Sequence, residues 1–349
     1  MRLPVDRNNR SRRRIVVEPV VEPVVEPIVE LVVEPVVEQV VEPVVEPVVE
    51  LVVEPVVEQV VEPVVEPVVE PVVEPVVEPV VEVVEPTEEE QPVRVFNHIK
   101  DVLDERDLKF KVERSADIVA ATLPNKIDLR MSGFMPPVFD QLCIGTCGPN
   151  AISSALYFYL RKDTNAPDFI PSRLFIYYFA RLIDGSSTDK DTGITLRSGV
   201  KAILKYAACK EELWPYIENK FTLKPTQVCI SAAATHLTGF KYYSVGQDIN
   251  SIKTAINQQC PVIFGMSIYK SFQSSIVAKT GKVPMPLANE ENLGGHAMLI
   301  VGYDDTTGTF IVCNSWGVSW ADKGFCYIPY AYILNKRQAS DFWCIQYFK

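Results

Sequence analysis

The hydrophobic pattern divides the chain into two very different parts. From Ile15 to Pro86, pairs of Val alternate with Glu and Pro in a four-residue cycle, and Glu recurs at every fourth position from Glu18 to Glu82. Leu31, Gln39, Leu51 and Gln59 stand in for Pro, Ile28 for one Val, and the last unit before Glu85 is shortened. A Pro at this spacing excludes a helix, because each ring removes a donor and clashes with the preceding turn. It equally excludes a central strand. Fixed φ at Pro, β-branched Val and like-charged Glu favour an extended, polyproline-like chain. At about 3.1 Å per residue, residues 16–83 reach roughly 200 Å when fully extended.

Residues 87–122 are mixed and charged, and their spacing predicts a short helix over 97–108. Beyond them the pattern becomes that of a folded domain. Pro136, Pro137 and the turn at Gly145 are loop signals, followed by an apolar, helix-length run over 150–160 with Pro149 suited to its first turn. Later, an apolar strand over 297–303 and a second over 309–313 are joined by a short loop, which predicts a hairpin. The expected organisation is a basic N-terminus (1–14), a repeat spacer (15–86), a connector or short pro-like segment (87–122) and one folded domain (123–349).

Charge changes this picture in one respect. The net charge of −11 comes from the spacer, which holds 21 Glu and no Lys or Arg between Ile15 and Val93. The remainder carries +10, about half of it in the first 14 residues. The acidic balance therefore says nothing about what the folded domain binds, and the small basic excess gives little support to nucleic-acid binding. The spacer reads as a solvated linker. Its regular repeat would also suit a protein partner with a repeated site, where weak contacts add through effective concentration. Glu and Pro interrupt every apolar stretch near the N-terminus, so neither a signal peptide nor a membrane span is expected. Eight scattered Cys without a secretory signal point to reduced thiols and an intracellular, reducing setting.

The candidate chemistry centres on Cys147. It lies at the mouth of the predicted helix, where the helix dipole and unpaired N–H groups stabilise a thiolate. A lone Cys in such a place is more often a buried structural residue, so a base and an oxyanion site must be found. His98, His236 and His296 are the chain's three His. His296 enters the first strand of the predicted hairpin after Gly294 and Gly295, and the second strand leads into Asn314, whose carbonyl could orient the imidazole. Gln141, six residues before Cys147, offers an amide to a developing oxyanion together with the Cys147 backbone N–H. Cys143 and Cys147 have no second pair at matching spacing, so no metal site is expected, and no cofactor.

Taken together, these segments resemble the papain family of cysteine peptidases, and within it the variants of bacteria and of large DNA viruses of the iridovirus type. The match runs through Gln141 to Ala151, Gly295-His296-Ala297, and Asn314-Ser315-Trp316-Gly317 with Trp320. Leu123-Pro124, Asp128 and Arg130 are similar to the family's mature N-terminus. The resemblance implies an α+β, two-lobed fold, with a helical lobe led by the Cys147 helix and a β-barrel lobe carrying His296 and Asn314. It implies a Cys-His-Asn peptidase acting on polypeptides through an acyl-enzyme, with Trp316 shielding the His296–Asn314 bond. Gly193 matches a glycine whose backbone pairs with extended substrate, and Gly295 borders the same cleft. Leu196, Gly265 and Ala297 fall where the family lines its main specificity pocket, which suggests an apolar side chain there.

The departures also carry information. A family disulfide position is Ile144 here, and the region of its partner carries Asp191. Gly148 replaces the usual Trp, and Ile194 replaces the second cleft glycine. A long helical pro-region is not evident in the sequence. The intact set of Gln141, Cys147, His296 and Asn314 favours an endopeptidase. Cleavage of isopeptide bonds to a ubiquitin-like tag, or an idle tethering role, are the alternatives. The viral resemblance would place the protein in an infected cell or a virion.

Overall fold

The computed structural model describes residues 93–110, 123–163, 166, 168–235 and 240–347. All of them belong to one compact unit, Glu82–Lys349. The basic N-terminus and the repeat spacer lie outside the described residues.

Helix α1 (Cys147–Lys162) is the central support, buried along almost its whole length. A helix apolar on nearly every face has to be surrounded, and α1 packs against α2 (Arg173–Asp184), α3 (Leu196–Tyr206) and the sheet. Arg161 and Lys162 in its last turn suit the negative end of the dipole. Ser172 and Thr195 cap α2 and α3 by accepting from the N–H groups of Phe175 and Ser198. Three further helices, α4 (Gln227–Ala234), α5 (Ile249–Asn257) and α6 (Ser275–Thr280), and a last turn, α7 (Tyr330–Ile333), complete the helical set. Among the described residues, no helix is long and apolar enough to cross a membrane.

The strands are β1 (Lys126–Asp128), β2 (Phe240–Ser244), β3 (Val262–Tyr269), β4 (Asn292–Asp304), β5 (Thr309–Cys313), β6 (Phe325–Pro329) and β7 (Ala339–Tyr347). They form an antiparallel sheet in the order β2-β7-β3-β4-β5-β6, with β1 added to β4. β4 is the spine. It pairs with β3 so that His296 faces Met266 and Ala297 faces Gly265, and with β5 as the expected hairpin, closed at Asp304 and Thr309.

The helix expected over 97–108 is absent. Asn97 and Ile99 instead form isolated parallel bridges to Gly295 and Thr195, Lys109 bridges to Ser244, and only a turn occupies 105–107. Val102 and Leu103 are about four-fifths exposed, so the apolar spacing that predicted a helix has no surface to cover. Helix propensity is a weak prior, and here pairing with the folded domain overrides it.

Candidate active site

Cys147 opens α1, and β4 and the chain after β5 supply the residues that face it. Its thiol is buried and lies against the backbone N–H of Ala297, next in sequence to His296. Burial pushes the thiol up to about 11, against the lowering effect of the N–H groups of Ala297, Gly148 and Cys147 itself. His296 is fully buried, which depresses it to about 4, although its bond to Asn314 acts in the opposite sense.

The imidazole is oriented from one side. Nε2 is 2.8 Å from Asn314 Oδ1, and the backbone N–H of Ser315 donates to the same oxygen at 2.8 Å, which marks it as the acceptor. In the neutral ring Nε2 therefore carries the proton, leaving Nδ1 as a base. Nδ1 is buried and has no hydrogen-bond partner. The Trp316 ring covers the imidazole at a centroid distance of 5.4 Å and is itself packed on Phe272 and Trp320.

Gln141 fastens the loop before α1 to the segment after β5. Its Oε1 accepts from Ser315 Oγ at 2.8 Å, and its Nε2 donates to Ile144 O at 3.1 Å, leaving one amide hydrogen uncommitted. The following turn is held by Asp191, which accepts from Gly145 N at 2.8 Å and from Tyr177 Oη at 2.5 Å. Tyr177 Oη in turn accepts from Gly193 N at 3.1 Å. Buried Arg181 anchors the loop leading there, donating to the carbonyls of Thr188 and Lys190 at 2.8 Å each.

Across this arrangement runs the protein's own segment 94–99. Arg94 pairs with Asp140 and lies over Trp316. Phe96 meets the rings of His296 and Trp316 edge-on, at 5.8 and 5.9 Å. Asn97 lies where a Cβ on Gly193 would stand, 1.9 Å from its carbonyl oxygen, and Gly193 holds a φ of 69°. His98 N donates to Gly295 O at 3.0 Å and Ile99 N to Ile194 O at 3.1 Å.

Comparison with known proteins settles the family. The papain family cysteine protease model matches residues 182–338. An uncharacterised peptidase C1-like protein of Acanthamoeba polyphaga mimivirus is 36 % identical over 271 residues, covering 72 % of this chain and 87 % of the relative. The chain belongs to the papain family of cysteine peptidases. Xylellain, a cysteine protease from Xylella fastidiosa, has the same fold at 36 % identity and a TM-score of 0.66, covering 73 % of this chain and 96 % of that one. A digestive procathepsin L2 of Tenebrio molitor is similar in fold, with a TM-score of 0.57 at 19 % identity.

The structure thus brings Gln141, Cys147, His296, Asn314 and Trp316 together, and sets Gly193, Gly295 and Gly265 along the path of segment 94–99. Leu196 stands apart. It is fully buried, with Cδ2 3.5 Å from where a Cβ on Gly148 would be, so it packs beneath the start of α1. The expected apolar pocket also differs, because beside Gly265 the side chain of His98 meets Asp341. Sequence reasoning missed Ser315, Tyr177 and Asp341, and gave residues 97–108 of the connector or pro-like segment as a helix where the chain is extended. Ser315 lay inside a matched motif and Asp191 in a noted departure, whereas Asp341 gave no local signal.

Proposed function

We propose that the chain is an endopeptidase in which Cys147 is the nucleophile, His296 the base and acid, and Asn314 the residue that orients it. The observation that supports this most is the His296 Nε2 to Asn314 Oδ1 bond, which leaves a buried, unpartnered Nδ1 on the residue next to Ala297, whose N–H meets the Cys147 thiol. His296 Nδ1 would take the Cys147 proton, and the thiolate would attack the peptide carbonyl carbon. The oxyanion would be met by the Cys147 N–H and the uncommitted hydrogen of Gln141 Nε2. His296 then returns the proton to the leaving amine as the C–N bond breaks. Water, deprotonated by His296, cleaves the thioester and frees Cys147.

With segment 94–99 in the cleft, burial holds Cys147 as a thiol and His296 as a neutral ring. In this reading residues 87–122 are a pro-like segment that has to leave before a substrate enters, 123–349 are the peptidase domain, and 15–86 are a spacer. The test is labelling of the full chain and of a form lacking residues 1–122 with a papain-directed epoxide, mapped by peptide mass. Labelling confined to Cys147, lost in His296→Ala and stronger in the shorter form, is expected. Folded protein that takes no label in either form would remove the enzymatic assignment of these residues.

A further inference from the structure

The loop that carries Gln141 is held from two sides. Toward the sheet, Gln141 N donates to Ser315 O at 2.9 Å and Gly317 N to Phe139 O at 3.0 Å. Toward the helices it meets Arg173, the first residue of α2. The guanidinium lies between two rings, 4.4 Å from the Phe139 centroid and 3.9 Å from that of Tyr216. Glu211 meets its charge at 2.8 Å, and the two side chains are only 11 % and 16 % exposed. The Glu211 carboxylate also accepts the backbone N–H of Arg173 at 3.0 Å and that of Tyr216 at 3.1 Å. The first of these is an orphan donor at the start of α2, where the positive end of the helix dipole favours a carboxylate.

A guanidinium can only donate, and this sets the direction of the bonds beyond it. Nη1 donates to the Asp140 carbonyl at 3.3 Å and to Asn150 Oδ1 at 3.1 Å. With Oδ1 committed as acceptor, Asn150 Nδ2 is turned to Thr146 and donates to its carbonyl at 2.8 Å and to its Oγ1 at 3.1 Å. The Tyr216 hydroxyl donates to Gln141 O at 2.7 Å, and so accepts from Thr146 Oγ1 at 2.5 Å. Gln141, Thr146 and Asn150 are all buried. In a buried chain of this kind each bond polarises the next. This one starts at a fixed charge and ends on the backbone of Gln141, whose uncommitted amide hydrogen is the oxyanion donor of the proposed mechanism.

We propose that Arg173 is a positioning residue for the oxyanion site, acting on Gln141 through Asn150, Thr146 and Tyr216 without touching the substrate. The proposal rests on the reading of Gln141 as oxyanion donor to a Cys147 adduct. Lys at position 173 would keep the charge, but it has neither a planar face for the two rings nor the forked donors that reach Glu211, Asp140 and Asn150 together.

The test compares two reactions of Cys147 in the full chain. With p-nitrophenyl acetate the thiolate adds to the carbonyl carbon, the carbonyl oxygen becomes the oxyanion, and p-nitrophenolate leaves with the bonding pair. With iodoacetamide the carbon–sulfur bond forms as iodide leaves, and no oxyanion develops. Both reagents are small and need the same access past segment 94–99, so the ratio of their rates reads the oxyanion site. First-turnover release of p-nitrophenolate, with Cys147→Ala as blank, gives one rate and peptide mapping the other. Gln141→Ala should lower the ratio of acylation to alkylation about a hundredfold. Arg173→Lys should lower it about tenfold, and so should Tyr216→Phe, which keeps the ring against the guanidinium. Neither should lower it further in a Gln141→Ala background, because a residue acting through Gln141 has nothing left to position. A wild-type ratio in folded Arg173→Lys or in Tyr216→Phe, or the same tenfold loss without Gln141, would overturn the proposal and leave the cleavage centre standing. Wild-type Cys147 that is alkylated but not acylated, or a ratio indifferent to Gln141→Ala, would instead remove the reading of the centre, and the proposal with it.

Discussion

Two stretches close on Cys147, the β4–β5 hairpin and the segment 93–110, and they are held in opposite ways. The hairpin is antiparallel sheet with one register shift between Ile300 and Gly302, is buried along most of its length, and fixes His296 and Asn314 by its register. The segment touches Gly295, Thr195 and Ser244 through single bridges and is otherwise tied down by side-chain pairs: Arg94 with Asp140, His98 with Asp341, and Asp107 with Arg197. One is part of the core; the other is a strap over it. Elements with few buried apolar contacts are the ones that open first. The contrast teaches that a site can be fixed by core sheet and still be covered by a segment held largely through side-chain pairs.

The largest expected effect breaks the rigid side. Cys147→Ala or His296→Ala should lower peptide hydrolysis by about a thousandfold or more, and the double variant should be little worse than either, because residues acting as a unit are not additive. Steady-state kinetics check this. Hydrolysis surviving in both variants would place the chemistry elsewhere.

The strap should yield to smaller changes. Arg94→Ala with Phe96→Ala removes the ion pair to Asp140 and the ring against His296 and Trp316. In the full chain, alkylation of Cys147 should accelerate about tenfold, the equivalent of one charge-assisted contact and its packing. The melting temperature of the domain should hardly move. A large fall would mean that the segment belongs to the core after all.

Legibility followed the same division. The α1 start, the hairpin and the closeness of Asn314 to His296 depend on local signals, namely Pro149, a short loop and alternating apolar positions, and all could be read from the sequence. The strap could not. Its residues 99, 102 and 103 have helical spacing, and only contacts remote in sequence make it extended. Asp341 was equally illegible, because its direction depends on a register shift between β3 and β7. The spacer and the domain boundaries lie largely outside what the structure describes.

Protonation should move the strap without any mutation. With it in place His296 is depressed to about 4 from 6.5, so between those values an uncovered His296 binds the extra proton, and falling pH favours opening. Cys147 is raised from 9.0 to about 11, so in that window the covered form keeps the proton and rising pH favours opening. The strap should therefore be tightest between about pH 6.5 and 9. Fluorescence of Trp316, whose ring faces Arg94 and Phe96, taken against Trp316→Phe, should be flat in that window and change on both sides of it. A flat signal from pH 4 to 11 would show that burial of the pair is independent of the strap.

The smallest effects belong to Asp191, which touches both regions. Its carboxylate holds Gly145 N and Tyr177 Oη on the rigid side and accepts from Asn97 Nδ2 at 3.3 Å on the strap. It thus ties the turn before Cys147 to the loop at Gly193 without a disulfide. Asp191→Asn turns one acceptor into a donor facing a donor, and should cost about 1–3 kcal/mol in denaturant unfolding. Tyr177→Phe removes its donation to Asp191 and the acceptor for Gly193 N, and should cost about 1–2 kcal/mol. Because Tyr177 does not reach Asn97, its loss should leave Cys147 labelling in the full chain near wild type, whereas Asp191→Asn should raise it by a few-fold. Equal labelling of the two variants would mean that the strap senses the rigid turn as a whole and not the Asp191 carboxylate.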